Sequence, residues 1–389
     1  MALIETGIQA YIQDLVSRTL YTNFVQRRPL LAWLAGMDKA NMERLGKPGE
    51  HLFMGGSNMG KGERQVLNGS VFHSFRYQKA QTDALEAITN TTSTPVATVD
   101  GHTLVGTSKT AWAKYWNAFK VPNDAINNAM AAGGSADNVS AQIAKVLDET
   151  VGFGIQRHLE GQENALWSDT LTSAQQTVDD STLFWPGYIG LKHWVSDGSS
   201  SGETAYNYVG GVDRTSHTFL QANVHAASDL VSAGAMASTV PTHTLIRKLL
   251  TWSSLGALQK FRSSAGQLCI TTGELFDKIV DSIEAKHTFQ HPSIPRLAEV
   301  GFGMPVAVVD QTVITWDPSC EGGELYLLTP ESWVFETHSK ENFTVSALSN
   351  KATVDEGGGD YRFGHVMTKA RLICREPFLQ TKVKGLTTS

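Results

Sequence analysis

The sequence has few cysteines and no long apolar run. Cys269, Cys320 and Cys374 are far apart and fit neither a disulfide framework nor the spacing of metal ligands. The longest apolar run, residues 300–309, is interrupted by glycines and a proline, and it is far shorter than the roughly 20 residues that cross a bilayer. The N-terminus carries Glu5 early and lacks the unbroken apolar core of a signal peptide. These absences favour synthesis in a reducing cytosol, without a disulfide scaffold or a membrane anchor.

Charged residues are also scarce. They make up 18% of the 389 residues, and 32 Lys and Arg against 38 Asp and Glu give a formal net charge of −6. This balance argues against a protein whose main task is to neutralise nucleic-acid phosphates across a basic face. Nine tryptophans are, by contrast, a generous number. Few charges with many aromatic residues are typical of a chain that buries much of its surface against partners.

The N-terminal third predicts short helices followed by polar hairpins. Apolar residues recur at helical spacing before and after Pro29, as in an ordinary surface helix or, alternatively, in an arm that packs on a neighbouring chain. Residues 47–69 are rich in glycine, which indicates turns and hairpins. Residues 78–110 are rich in threonine and have almost no large apolar side chain in the middle. This stretch is either a disordered loop or an extended hairpin that lies on another surface.

The rest of the chain predicts one long helix and several strands. Apolar residues step by four through residues 135–167 and give this helix a core-facing stripe that includes Ile143, Leu147, Ile155 and Leu159. A strand is predicted at 110–121, with aromatic residues on both faces, and Thr271 is predicted to cap a later helix. Further strands are predicted within 304–375. Helices and strands do not alternate as βαβ units, so we expect an α+β fold.

Two motifs suggest chemistry that the sequence does not support. Residues Gly55–Lys61 resemble a phosphate-binding loop, but Gly62 stands where the motif needs Ser or Thr, and no apolar helical stripe follows. His287 and His291 are four residues apart, but no third ligand has a suitable spacing and Pro292 would break the helix. A nucleotide-binding enzyme that uses Gly55–Lys61 stays as the alternative from another class. We expect no active site, no metal and no cofactor.

Several motifs in the second half resemble those of tailed-bacteriophage major capsid proteins. The Gly-Gly-apolar-Asp-Arg-Thr turn at 210–215 precedes an aromatic-containing segment at 219–223. Residues 305–320 resemble a strand that ends in a Trp-Asp-Pro turn, and 324–338 resemble a pair of strands. Residues 369–386 resemble a C-terminal strand with a basic tail. The resemblance covers about Tyr208 to Leu386, and upstream only the order of elements matches.

The resemblance implies the fold that phage capsids share with herpesvirus capsids and encapsulins. In this family an N-terminal arm precedes an extended hairpin loop, and a long spine helix lies in a peripheral domain beside an axial domain. The implied division is an arm at 1–51, the extended loop at 52–119, a peripheral domain at 120–185 and 331–389 with the spine helix at 135–167, and an axial domain at 186–330.

The resemblance also implies a structural function rather than an enzymatic one. Copies would assemble as hexamers and pentamers into an icosahedral phage head that encloses double-stranded DNA without sequence-specific binding. Such a virion protein would be made and assembled in the bacterial host cytoplasm. A portal, a separate scaffolding protein and a possible cement or decoration protein would be its other partners. An encapsulin-like compartment for cargo is the alternative within the same fold.

The threonine-rich hairpin is the predicted contact between subunits. Eight of the nineteen residues in Glu86–Leu104 are Thr, Ser or Asn, without a clear apolar alternation. A two-stranded ribbon is marginal alone, so we expect it to reach a neighbouring subunit, with Trp112, Tyr115 and Trp116 anchoring its base to the home domain. The candidate subunit contacts are Thr91, Thr92, Thr94, Val96 and Thr98 of the hairpin, together with Asp213 and Arg214 of the Gly-Gly turn motif.

Overall fold

A computed structural model gives the fold of the larger part of the chain. It describes Leu30 and residues 63–66, 72–78, 105–124, 128, 136–168, 171–176, 185–252, 267–284, 307–309, 312–329, 332–338, 341, 344–346 and 361–389.

The described helices and strands are numbered in chain order. The helices are α1 (Ala136–Ser168), α2 (Leu191–Trp194), α3 (Ala227–Ser232), α4 (His243–Trp252) and α5 (Gly273–Glu284). The strands are β1 (Glu63–Val66), β2 (Phe72–Gln78), β3 (Val105–Ala111), β4 (Ala113–Pro122), β5 (Tyr208–Val209), β6 (Val212–Asp213), β7 (Asn223–Ala226), β8 (Gln267–Thr271), β9 (Ala307–Val309), β10 (Thr312–Trp316), β11 (Leu325–Leu328), β12 (Trp333–His338), β13 (Thr344–Val345), β14 (Tyr361–Cys374) and β15 (Thr381–Lys384).

The long helix α1 packs on one face of a five-stranded sheet. In this sheet β14 is the central strand, with β4 along one side and β12 and β13 along the other, and β1 extends the sheet beyond β12. Ile155 and Leu159 of α1 are buried in the core between the layers, as predicted. Ile143 and Leu147 lie in the same helix, as its residue range predicted, but their side chains are outside the described residues.

A glycine sets the distance between the helix and the sheet. A Cβ at Gly154 would lie 3.2 Å from the Cβ of Phe119 on β4, so the helix approaches the strand closely at this point. The side-chain amide of Asn117 donates to the carbonyl of Gly154 at 3.0 Å. Close packing is therefore found at Gly154, whereas open space surrounds Gly152.

A second sheet forms a separate core with the shorter helices. Its strand order is β7-β15-β11-β8-β10-β9, and α3, α4 and α5 cover a core that includes Leu245, Ile279 and Leu325. Strands β8 and β10 are parallel and α5 lies between them in the chain, so this part contains one βαβ unit. The remaining order does not alternate, and the α+β class is confirmed.

Two local predictions need correction. The strand predicted at 110–121 is broken at Trp112 into β3 and β4. Helix α5 begins one residue later than expected, and its cap is Thr272, whose Oγ1 accepts from the amide of Leu275 at 3.5 Å. The predicted cap Thr271 instead lies in the buried strand β8, and its hydroxyl donates to the carbonyl of Glu324 at 2.9 Å. A buried hydroxyl requires such a hydrogen-bond partner, so it does not cap the helix.

The C-terminal strand crosses the predicted domain division. Strand β15 belongs by position to the segment 331–389, but it pairs with β11 and β7 in the second sheet. Buried Lys382 reinforces this placement, because its Nζ lies 3.0 Å from Glu203 Oε1 and 2.9 Å from Glu324 Oε1. Residues 381–384 therefore join the strands of 186–330. None of the helices in the described residues has the length and apolar character needed to cross a membrane.

Candidate site at the base of the ribbon

One continuous stretch of chain builds both a two-stranded ribbon and the edge of the five-stranded sheet. Strands β2 and β3 are antiparallel, and their register runs from Phe72 opposite Ala111 to Gln78 opposite Val105. After the single residue Trp112 the chain continues as β4, which pairs with β14. The direction of the ribbon is therefore set by the packing of Trp112 and its neighbours, which form the ribbon base.

Trp112 is held between cationic and aromatic side chains. Its side chain is 1% exposed. The guanidinium carbon of Arg371 lies 4.1 Å from a ring centroid, and the ammonium of Lys369 lies 5.6 Å away. The ring of His338 meets the Trp112 ring edge-on at 5.8 Å. The backbone carbonyl of Trp112 accepts from the amide of Trp185 at 2.8 Å. These contacts combine apolar burial with cation–π attraction in a desolvated place.

A buried ion pair lies beside this tryptophan. Arg371 Nη2 is 2.6 Å, and its Nε 2.7 Å, from Oε2 of Glu336 on β12. The Nη1 group of the same arginine donates to the carbonyl of Thr110, the penultimate residue of β3, at 3.4 Å. Removing one partner would leave the other charge buried without compensation. The pair thus joins β12, β14 and the ribbon.

Tyr115 is the second anchor, and Trp116 is not an anchor. The hydroxyl of Tyr115 accepts from the amide of Tyr188 at 2.9 Å, and the two rings lie 4.6 Å apart. Trp116 is 68% exposed, because β4 turns its side chain to the face of the sheet that α1 does not cover. The predicted anchoring role within the subunit is therefore wrong for Trp116.

The Gly-Gly motif forms a tight hairpin against the ribbon. Gly210 and Gly211 have φ values of 56° and 78° and connect β5 to β6. Both central positions thus have the positive φ of a two-residue type I′ turn, which glycine adopts without strain. The amide of Lys109 on β3 donates to the carbonyl of Gly210 at 3.4 Å. The hairpin therefore supports the ribbon close to its base.

Arg214 is a buried structural residue and not a subunit contact. Its side chain is 0% exposed. The guanidinium donates to the carbonyls of His193 at 2.7 Å and Trp194 at 3.5 Å, and to that of Ser196. Burial lowers the pKa of Arg214 to about 9, which still leaves it charged at neutral pH. A contact with a second subunit cannot use a side chain that its own subunit encloses, so this candidate is corrected.

Asp213 stabilises the turn that follows the hairpin. Its carboxylate accepts from the amide of Thr215 at 2.9 Å and from the Thr215 hydroxyl at 2.7 Å. The hydroxyl bond is the main cause that lowers the pKa of Asp213. The side chain is partly exposed, and its role as a subunit contact stays a prediction.

Two further joints were not found from the sequence. The amide of Leu30, which is fully buried, donates to Oδ2 of Asp317 at 3.4 Å, so the Trp-Asp-Pro turn holds a residue of the N-terminal segment. His158 joins α1 to β14, because its Nε2 lies 2.9 Å from the hydroxyl of Thr368 and 3.2 Å from the amide nitrogen of Gln162. Burial lowers the pKa of His158 to about 4. No motif or residue spacing in the sequence predicts these contacts, because their partners are far apart in the chain.

The remaining predicted residues lie outside the described part of the chain. They are Thr91, Thr92, Thr94, Val96 and Thr98 of the hairpin, the glycine-rich segment Gly55–Lys61, and His287 and His291. Within the described residues, no group of three or more His, Cys, Asp or Glu side chains could hold a metal ion.

Comparison with known proteins gives similarity in structure alone. No family model and no curated protein matches the chain. A cyanophage A-1(L) capsid is similar at 12% identity and a TM-score of 0.48, over 93% of this chain and 93% of that chain. The capsid of a native GTA particle is similar at 8% identity and a TM-score of 0.47, over 84% and 88%. The holo-SrpI encapsulin complex of Synechococcus elongatus PCC 7942 is similar at 8% identity and a TM-score of 0.46, over 84% and 86%.

Proposed function

We propose that this chain is a major capsid protein. Its copies assemble as hexamers and pentamers into an icosahedral phage head that encloses double-stranded DNA. The motifs between Tyr208 and Leu386 support this role. The Gly-Gly turn accepts a hydrogen bond from the ribbon at Lys109, and the Trp-Asp-Pro turn accepts one from Leu30. The role is structural and requires no catalytic residue.

The ribbon is the single observation that carries the proposal. Strand β3 leaves the sheet at Trp112 and pairs there only with β2 among the described residues. A two-stranded ribbon is marginal by itself in water, and the polar segment Glu86–Leu104 that follows β2 lacks the apolar alternation needed to pack on its own subunit. A second subunit is the surface that would stabilise it. Contacts of this head-to-tail kind close into rings when the rotation between subunits allows it.

The ribbon base supplies the rigidity that such a contact needs. Trp112 is enclosed by Arg371 and Lys369, and the Arg371–Glu336 ion pair reaches the last residues of the ribbon. A ribbon that is fixed at its base loses less conformational freedom when it binds, which favours assembly. The candidate contacts Thr91, Thr92, Thr94, Val96 and Thr98 belong to the segment that this base would direct toward a neighbour.

The domain division and the other partners are part of the same proposal. We assign the arm to 1–51, the peripheral domain to 120–185 and 331–389 without β15, and the axial domain to 186–330 with β15. The extended loop is 52–119 without β1 and the first part of β4, which pair with β12 and β14 and so belong with the peripheral domain. A net charge of −6 suits a shell that confines DNA without binding it tightly. A portal, a separate scaffolding protein and a cement protein are the proposed partners, and the host cytoplasm is the proposed place of assembly.

Electron microscopy and ultracentrifugation of the purified chain test this function. The wild-type chain is expected to form regular shells or capsomers. A variant with Glu86–Leu104 replaced by a short Gly-Ser turn is expected to stay a folded monomer of near-normal melting temperature, because that segment contributes to assembly and not to the core. Intact shells from the variant would contradict the role of the ribbon, and an unfolded variant would place the segment in the subunit's own core.

The contents of particles made in the host distinguish a phage head from an encapsulin-like compartment. Packaged double-stranded DNA is the expected result when the other phage proteins are present. A single loaded enzyme in place of DNA would contradict the phage-head proposal while leaving a shell-forming function intact.

A further inference from the structure

One segment of the chain supplies an inner strand to both sheets. Residues 361–386 contain β14, the central strand of the five-stranded sheet, and β15, which lies between β7 and β11 in the second sheet. We call these residues the closing segment. Among the described strands, β4, β7 and β13 each pair only with a strand of the closing segment. Without it, none of these three would have a described strand beside it.

The closing segment also fills both cores. Val366, Ala370 and Ile373 of β14 are fully buried in the core to which α1 contributes. Val383 of β15 and the nearby Leu386 are buried in the core that α3, α4 and α5 cover. Strands that lack both a pairing neighbour and an apolar surface to cover are not stable in water. The described strands that precede the closing segment therefore cannot complete either sheet by themselves.

The ribbon base depends on the same segment. Arg371 and Lys369, which cover the ring of Trp112, both lie on β14. Arg371 also donates to the carbonyl of Thr110 in the ribbon, a residue 261 positions away in the chain. Contacts between such distant residues form late, because the entropy of closing the loop is lost before the contacts can compensate for it. The ribbon thus gains its fixed direction only when β14 is in place.

Buried charges tie a loop of the second half to β15. Glu203 is buried, and Lys382 and Lys384 of β15 lie 3.0 Å and 3.7 Å from its Oε1. Burial lowers the pKa of Lys382, but Glu324 and Glu203 outweigh this effect and raise that pKa above its ordinary value, so the ammonium stays charged. A buried carboxylate that lacks its cation strongly destabilises a fold. The loop that carries Glu203 therefore takes its buried position together with β15.

We propose that the closing segment is a folding gate. Strands β8 to β11 take up their structure without it, because β8 pairs with β10 and β11, and β9 pairs with β10. The ribbon base and strands β4, β7 and β13 reach their native positions only when residues 361–386 pair with them. A chain whose closing segment is still being synthesised has no fixed ribbon. The consequence for assembly rests on the proposed capsid function, since such a chain cannot direct its ribbon to a neighbour.

Pulsed hydrogen–deuterium exchange during refolding of the full chain tests the gate. Amides of Ala113–Pro122 and Asn223–Ala226 should become protected in the same kinetic phase as those of Tyr361–Cys374 and Thr381–Lys384. Amides of Gln267–Thr271 should become protected earlier, because the partners of that strand are closer in the chain. Protection of Ala113–Pro122 before Tyr361–Cys374, or of every strand in one phase, would overturn the inference.

Chains arrested on the ribosome test the gate during synthesis. The full sequence followed by a long linker places the closing segment outside the exit tunnel, and the same sequence with a short linker holds it inside. Trypsin should cut at Lys114 and Lys120 of β4 several-fold faster with the short linker, whereas cleavage at Lys278 of α5, the internal control, should be equal with both. Equal cleavage of β4 with both linkers would overturn the inference.

Assembly of the released chain separates this inference from the proposed function. If the linkers give the expected cleavage but the released full chain never associates, the capsid function fails and the gate stands. If the released chain forms shells and β4 is equally resistant with both linkers, the gate fails and the capsid function stands.

Discussion

Substitution by alanine should cost much more unfolding free energy at Trp112 than at Trp116, four residues further along the chain. Trp112 is 1% exposed and lies against Arg371, whereas Trp116 on the same stretch of chain is 68% exposed. Replacing a buried tryptophan by alanine costs about 3–5 kcal/mol of unfolding free energy through lost burial and the cavity left behind. Trp112→Ala also removes the cation–π contact, so we expect a loss of about 4 kcal/mol. Trp116→Ala should cost no more than about 1 kcal/mol, the span of strand propensities.

Thermal and urea unfolding measure this difference directly. For a chain of 389 residues that unfolds cooperatively, a loss of about 4 kcal/mol lowers the melting temperature by about 5 °C, and by more if the domain around Trp112 unfolds separately. Trp116→Ala should melt within about 1 °C of the wild type. Ribbon cleavage by a protease should rise in Trp112→Ala alone, because only that variant loosens the base. Equal destabilisation by both substitutions would refute the assigned faces of β4.

Three further predictions concern the packing of the subunit. Ile155→Asp places a carboxylate in the core at a cost of several kcal/mol and should abolish soluble, cooperatively melting protein. Phe153→Asp is the control and should fold normally, because the Phe153 side chain on the same helix is 66% exposed. Gly198→Ala should cost more unfolding free energy in urea than Gly202→Ala, since both have positive φ but only at Gly198 would a Cβ lie 2.8 Å from a neighbouring side chain. Because burial lowers the pKa of His158 from 6.5 to about 4, the unfolded chain takes up the proton first as pH falls. The stability from neutral His158 is complete above pH 6.5 and is lost toward pH 4, by about 2 kcal/mol at pH 5, and His158→Gln should remove that part of the acid dependence measured by urea unfolding.

The regular elements could be predicted because their signals are local. The helix predicted at 135–167 is observed as Ala136–Ser168, since a four-residue apolar step needs no information from distant residues. Strands β10, β11 and β12 are observed within the range 304–375 in which strands are predicted. The cap of α5 was misplaced by one residue, because Thr271 and Thr272 are both good caps and only the pairing of β8 with β11 decides which hydroxyl is free for the helix.

The site could not be predicted to the same degree, because its residues take their roles from contacts over long sequence distances. Alternation along a single strand put Trp112 and Trp116 on one face. The sequence could not show that Arg371 and Lys369 of β14 cover the ring of Trp112, where the chain passes from the ribbon into the sheet, whereas Trp116 stays exposed. Arg214 was recognised as important from its motif, but the same motif cannot distinguish an arginine that binds a neighbouring subunit from one that binds the carbonyls of residues 193–196 in its own.

Trp112, Trp116 and Arg371 give one stretch of chain the two features that assembly of a shell requires. A subunit that must join several copies needs a contact element with a fixed direction and a receiving surface that stays uncovered until a partner arrives. The buried Trp112 and its ion pair fix the ribbon, and the exposed Trp116 leaves an apolar surface on the adjoining strand. If the proposed function is right, stability and assembly depend on different residues of one stretch of chain, and Trp116→Ala is expected to affect assembly while its unfolding free energy is unchanged within about 1 kcal/mol. Simultaneous loss of folding and assembly in Trp116→Ala would show that the two properties are not separable in this protein.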